Sequence, residues 1–277
     1  MPNLMEKIWS LNISKLKSAF AILLLISSNA FAQTWTLQSE VRLEGLDKMS
    51  FDRRGQLYLS DQKGNIYQYS PLGLEQVNYS PPRQGKLSIL EAWNTQRIFA
   101  FYQEFQNYRL FDRFLVPTPD QRMSIPPAGF INVASLSADQ QIWLVDDRDF
   151  SLKKYNPNTG EFSIITPLNL MADLENYQFT FLREYQNRLF LVDKNSGILI
   201  FDNLGNYEQT IEAGGIDWIA FEKDEIQYLT ANTLTLQNLY SLEKRSLILP
   251  TKATQAVIFN DKGYLIEGNS LRIYLIN

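Results

Sequence analysis

Short apolar runs alternate with clusters of turn residues along most of the chain, a pattern that predicts strands rather than helices. In "FDRRGQLYLSDQKGNIYQYSPLG", residues 51–73, Leu57 to Ser60 form one β-rich run and Ile66 to Tyr69 a second. Asp61-Gln62-Lys63-Gly64 supplies the turn between them, and Ser70-Pro71-Leu72-Gly73 closes the unit. Tyr58 in the first run is followed 11 residues later by Tyr69 in the second. The same arrangement recurs as Phe99 and Phe111, Trp143 and Tyr155, Phe190 and Phe201, Tyr228 and Tyr240, and Tyr264 and Tyr274, making six copies. Their first aromatics are separated by 41, 44, 47, 38 and 36 residues, a period that belongs to blades or arrays and not to helical heptads.

Each hairpin is preceded by a further β run, and in the first five copies it is followed by a fourth ("LEQVNY", "RMSI", "FSIIT", "YEQTI", "SLILP"). The sixth copy stops at Asn277 without one, while an unassigned run, "TWTLQSEVRL", precedes the first copy. The expected architecture is therefore an all-β, six-bladed β-propeller with four-stranded blades, closed by an N-terminal strand, Trp35 to Leu43, that completes the C-terminal blade. Stacking six blades buries the faces that none buries alone, and pairing first strand with last removes an open edge. The repeated aromatics are expected to pack blade against blade.

Residues 1–32 have the form of a secretory signal peptide: Lys7, Lys15 and Lys17, the 8-residue apolar run "AFAILLLI", then Ala30 and Ala32. That run is too short to span a bilayer, which needs about 18–20 residues. Cleavage before Gln33 is expected, leaving residues 33–277 as one exported domain, periplasmic or on the cell surface and beyond. The remainder carries 23 basic and 29 acidic residues, a formal charge of −6, and makes a poor partner for nucleic acid. The chain has no Cys, so neither disulfides nor thiol-linked lipid hold it. It has no His either, which removes the commonest general base, the commonest zinc ligand and every Ser-His-Asp arrangement.

Two sets of residues are expected at the mouth of the central channel. About eleven residues before each first aromatic stand Asp47, Ser88, Asn132, Gln178, Asp217 and Gln255, polar in all six copies behind mostly apolar neighbours. The second strands end in Asp61, Asp146, Asp193 and Glu267, with Tyr102 and Ala231 in the other two blades. These carboxylates have two readings: acceptors for backbone N–H groups in their own turns, or an acidic funnel for a cation or a basic partner.

The repeat resembles six-bladed propellers of the NHL-repeat and TolB-like kind, whose unit "D-x-x-G-x-L-Y-V-x-D … G-x-I-x-x-Y" is followed by residues 52–69. The resemblance implies the fold over the whole of 33–277 but no single function, since such propellers serve as scaffolds, receptors, lactonases and lyases. A second resemblance, to senescence-marker/gluconolactonase propellers, implies a divalent metal such as Ca²⁺ in an oxygen cage of Glu44, Asn132, Gln178 and Asp217, with Asp217 or Asp193 as base. Gln178 stands where that family has Asn, and Val133, Phe179 and Trp218 stand where it usually has Gly. The reading preferred from the residues is a non-enzymatic module without cofactor that binds a protein or cell-envelope partner through its channel mouth and rim loops. Tyr79, Phe105, Phe150 and Tyr177 are its candidate aromatic anchors. A metal-dependent lactonase-type hydrolase is the alternative.

Overall fold

The burial of each strand follows from its place in a blade. Leu57–Asp61 is buried at all five positions, because neighbours cover both of its faces. Glu161–Pro167 alternates between exposed and half-buried, the period of a strand with one face in water. The computed structural model describes residues 34–276 except 95, 120, 123–128 and 172–175, with backbone alone at 121–122. The expected signal peptide, residues 1–32, lies outside the described residues.

The described strands begin with β1 (Trp35–Arg42). Blade 1 contains β2 (Leu46–Phe51), β3 (Leu57–Asp61), β4 (Ile66–Tyr69) and β5 (Glu75–Tyr79). Blade 2 contains β6 (Ile89–Glu91), β7 (Ile98–Tyr102), β8 (Asn107–Phe111) and β9 (Gln121–Arg122). Blade 3 contains β10 (Ile131–Leu136), β11 (Ile142–Asp146), β12 (Ser151–Asn156) and β13 (Glu161–Pro167). Blade 4 contains β14 (Phe179–Tyr185), β15 (Arg188–Asp193), β16 (Gly197–Asp202) and β17 (Tyr207–Glu212). Blade 5 contains β18 (Ile219–Glu222), β19 (Glu225–Thr230), β20 (Thr233–Asn238) and β21 (Lys244–Ile248). Blade 6 contains β22 (Gln255–Phe259), β23 (Lys262–Glu267) and β24 (Ser270–Ile276), and β1 is its fourth strand. Each of these sheets is four-stranded and antiparallel, five of them sequential meanders and the sixth completed by β1, and together they form the six-bladed propeller.

The ring closes through β1, which runs antiparallel to β24 from Trp35 opposite Ile276 to Arg42 opposite Ser270. Trp35 lies edge-on to Tyr274 at 5.8 Å and covers Gly263, where a Cβ would stand 2.1 Å from the indole. Polar side chains buried between blades bind across the seams. The Ser50 hydroxyl accepts the Ala92 N–H at 2.9 Å, joining blades 1 and 2. Gln227 donates to the Ile258 carbonyl and accepts the Ile258 N–H, both at 2.8 Å, joining blades 5 and 6. Gln255 accepts the Met49 N–H at 3.2 Å and carries the series across the closure.

Of the repeated aromatics, Tyr58, Phe99, Trp143, Phe190, Tyr228 and Tyr264 are all buried in the second strands of their blades. Tyr240 departs from the pattern and is exposed in the turn after β20. The Asn238 side chain accepts the N–H groups of Tyr240 and Ser241, starting the turn before the tyrosine can enter the strand. The fourth strand of blade 2 is only the two residues of β9, and most of the run "RMSI" lies outside the described residues.

Deleting residues 33–43 removes the outer strand of blade 6, uncovers β24 and exposes the Gly263 backbone under Trp35. We expect the melting midpoint of the truncated protein to fall by at least about 10 °C, on a scale of roughly 2–4 °C per kcal/mol for a domain of this size. A fall below about 2 °C would show that the clasp is dispensable.

Candidate functional site: the channel mouth

The loops that enter the innermost strands meet the turns between second and third strands at one end of the ring, and backbone bonds lock the two together. Gln62 N–H donates to the Gly45 carbonyl, Asp147 N–H to Phe130, and Lys194 N–H to Gln178, each at 2.9 Å. Chain irregularities then aim the next side chains. The β2–β3 register shifts between Leu46 and Lys48, leaving Asp47 outside the ladder, and the β10–β11 register shifts between Ile131 and Ala134, around Asn132. Such bulges turn a side chain out of the sheet toward the opening.

Asp47, Ser88, Asn132, Gln178, Asp217 and Gln255 all line one open cavity of about 870 Å³, one residue from each blade. Glu44, the fourth member of the proposed oxygen cage, is exposed and is not among the lining residues. The charged members have counter-ions. Asp47 lies 2.9 Å from the Lys86 ammonium and 3.6 Å from that of Lys48, and Asp217 lies 2.8 Å from Lys194. Asn132 accepts a hydrogen bond from the Gln103 amide at 3.2 Å and donates its own amide to Asp147. The Ser88 hydroxyl donates to the Phe101 carbonyl at 2.9 Å, and Gln255 is held by Met49. Burial pulls the Lys48 amine below its ordinary pKa despite the nearby Asp47 carboxylate. Burial likewise raises the Asp147 carboxyl, even though it accepts the Tyr177 hydroxyl at 3.0 Å.

The second set does not form an acidic funnel. Asp61, Asp146 and Asp193 are buried, and each accepts N–H groups of its own turn: from Lys63 and Asn65, from Arg148, and from Asn195. Asp146 and Asp193 also accept the N–H of Gly129 and of Gln178, fixing the loops that lead into β10 and β14. Asp146 is further neutralised by Lys153 at 2.7 Å. Glu267 binds Arg272 at 2.8 Å and accepts the Thr251 hydroxyl.

Sequence reasoning missed the partners one residue further on. Gln62, Gln103, Asp147 and Lys194 each follow the residue that ends a second strand, and each lines the mouth or binds a ring residue there. Strand alternation was the available signal: if the terminal residue turns inward into its own turn, its successor faces the opposite way. Of the four candidate aromatic anchors, only Tyr177 lines the mouth. Tyr79 packs on Phe111 at 4.7 Å, Phe105 on Tyr102 at 6.2 Å, and buried Phe150 on Tyr177 at 4.7 Å. Below the ring, Trp218 and Phe181 line voids of only about 10 and 30 Å³, room for about one or two waters, so the mouth has a floor.

The sequence matches no family model and no curated protein. Solved structures share the fold. A streptogramin B lyase is 12% identical with a TM-score of 0.62, the match covering 88% of this chain and 97% of that one. The β-propeller domain of Cps50 from Myceliophteria thermophila is 9% identical with a TM-score of 0.62, covering 88% and 100%. The extracellular domain of a putative one-component system from B. thetaiotaomicron is 14% identical with a TM-score of 0.54, covering 83% of this chain and 33% of that one. These likenesses establish the propeller and leave the NHL-repeat or TolB-like assignment at the level of the fold.

Asp193→Ala removes the acceptor for the N–H groups of Gln178 and Asn195 and for the Ser196 hydroxyl. At about 1–3 kcal/mol for leaving buried donors unsatisfied, a loss of about 2–3 kcal/mol is expected in urea unfolding. A loss below about 0.5 kcal/mol would show that the carboxylate does not hold the mouth loop.

Proposed function

We propose that the chain is an exported, non-enzymatic binding module whose channel mouth receives a polar segment of a protein or cell-envelope partner. The observation that carries this reading is the ring itself. Six blades present amides, a hydroxyl and ion-paired carboxylates around an open cavity of about 870 Å³. That volume lies within the range of ligand sites, and its closed floor favours an inserted loop or chain end over a threaded one. Amides and paired charges on a rigid ring suit recognition by hydrogen bonds. Export is supported by the signal-like segment 1–32. Among the described residues no helix is long and apolar enough to cross a membrane.

The metal-lactonase reading has less support, because the donor set fits a divalent ion poorly. Asp217 is paired with Lys194, the Asn132 amide oxygen already accepts from Gln103, and Glu44 stands outside the cavity. Lys48 and Lys86 line the same cavity and repel a cation. Among the described residues, no three of His, Cys, Asp or Glu gather in a group able to hold a metal.

The test of binding is capture from an envelope extract with the purified protein as bait, beside a Gln178→Ala/Asp217→Ala variant. We expect one stoichiometric partner that the double variant loses. A partner retained by that variant, or none at all, would sink the proposal. A separate measurement addresses metal: a caged Ca²⁺ at about 100 times its dissociation constant would add about 2.7 kcal/mol. We expect Ca²⁺ and chelator to leave the melting midpoint within about 1 °C. A larger shift that Asp217→Ala abolishes, accompanied by lactone hydrolysis, would establish the enzyme instead.

A further inference from the structure

A second cavity, of about 320 Å³, opens at the opposite end of the channel, where the innermost strands of blades 2, 3 and 4 finish. It is separate from the mouth and differs from it in charge. Its two carboxylates are committed to internal donors. Glu184 accepts the Ser137 hydroxyl at 2.5 Å and the Trp143 indole N–H at 2.7 Å. Glu91, buried, accepts from Arg183 at 2.9 Å and from the Ser135 hydroxyl at 2.8 Å. The arginines at the opening are not so engaged. Arg53 and Arg97 line the cavity, are exposed, and have no carboxylate partner among the described residues.

The walls are aromatic. Trp93 meets Tyr185 edge-on at 5.2 Å, and Tyr185, its hydroxyl donated to the Lys223 carbonyl at 2.6 Å and its ring stacked on Phe221 at 4.4 Å, is a fixed part of the wall. Phe99 and Leu136 add buried apolar surface. The Arg53 guanidinium lies over the Trp93 ring at 5.4 Å, a cation–π contact that leaves its N–H donors open. The Arg183 guanidinium lies 5.6 Å from the same ring. Arg183 is only 5% exposed, and its Nη2 has no hydrogen-bond partner, in a small void that shares Trp93 with the basal cavity. That void, of about 10 Å³, has room for one water at the open donor and none for an anion, so an anion in the basal cavity falls to the exposed arginines.

We infer that this basal cavity is a binding site for a small anion with a flat apolar body, such as an aromatic carboxylate. Arg53 and Arg97 take the carboxylate, and the ring lies against Trp93 and Tyr185. The volume falls at the lower end of the range for small-molecule sites, which matches a ligand of two fused rings. The site goes beyond the binding role proposed for the mouth and stands or falls without it.

The test is calorimetric titration of the full chain with 2-naphthoate, and with 2-naphthalenemethanol and 2-naphthylmethylammonium as neutral and cationic counterparts. We expect naphthoate to bind with a dissociation constant below about 1 mM, and both counterparts at least about tenfold more weakly, a difference of ~1.4 kcal/mol. Arg53→Ala and Arg97→Ala alter exposed side chains and should each weaken naphthoate about tenfold, whereas Asp217→Ala at the mouth should leave it unchanged. Equal affinity for the alcohol or the ammonium, no effect of either arginine substitution, loss of binding in Asp217→Ala, or no binding tighter than about 1 mM would overturn the inference.

Discussion

The pairing of β1 with β24 is the constraint on which the rest of the structure depends. Blades are radial sheets that bury their faces only against their neighbours, so an open ring would leave two faces and a strand edge in water. Closure between strands nearly the whole chain apart in sequence turns six similar units into one cooperative body. Gly263 lets the Trp35 indole approach the sheet backbone, and Gln255 carries the seam bonds on to Met49. Once the ring is closed, the six innermost strands start at one height, and the residues at their entrances have no choice but to converge.

The channel that results is not a pore. Between mouth and base, Trp218, Phe181 and Trp93 fill the waist together with the Glu91–Arg183 pair. Burial pushes the Glu91 carboxyl upward while Arg183 pulls it down, a competition in which the loss of water outweighs the attraction. A buried pair of this kind adds little net stability compared with an apolar filling, but breaking it leaves an uncompensated charge. It therefore serves to position groups: Glu91 reaches Ser135 of the next blade, and Arg183 sits near Trp93. The two ends are thereby separated into a mouth whose ring carboxylates are ion-paired and a base whose exposed arginines are not.

The likeness of the chain to a lyase, the Cps50 propeller and an extracellular domain at 9–14% identity shows how little of the sequence the architecture requires. What recurs within this chain is a buried aromatic in each second strand, a turn and a polar entrance residue. The loops between these points vary, and with them the chemistry at each end.

The period of the aromatics, the four runs per copy and the missing strand of the last copy were enough to establish the six blades and their closure. These features are local, and a strand that must bury both faces has few alternatives. The entrance ring was legible for the same reason, since its six members occupy one place in a repeat. What the tertiary structure decided is how those side chains are used. Asp47 and Asp217 have lysine partners from neighbouring loops, and Asp61, Asp146 and Asp193 turn away into their own backbone. Tyr79, Phe105 and Phe150 pack inside, and Trp93 gathers two arginines from different blades. Linear spacing carries the face a residue occupies in its own sheet. It does not carry the partners that ring closure brings from other sheets, and those partners determine whether a charge is free to bind.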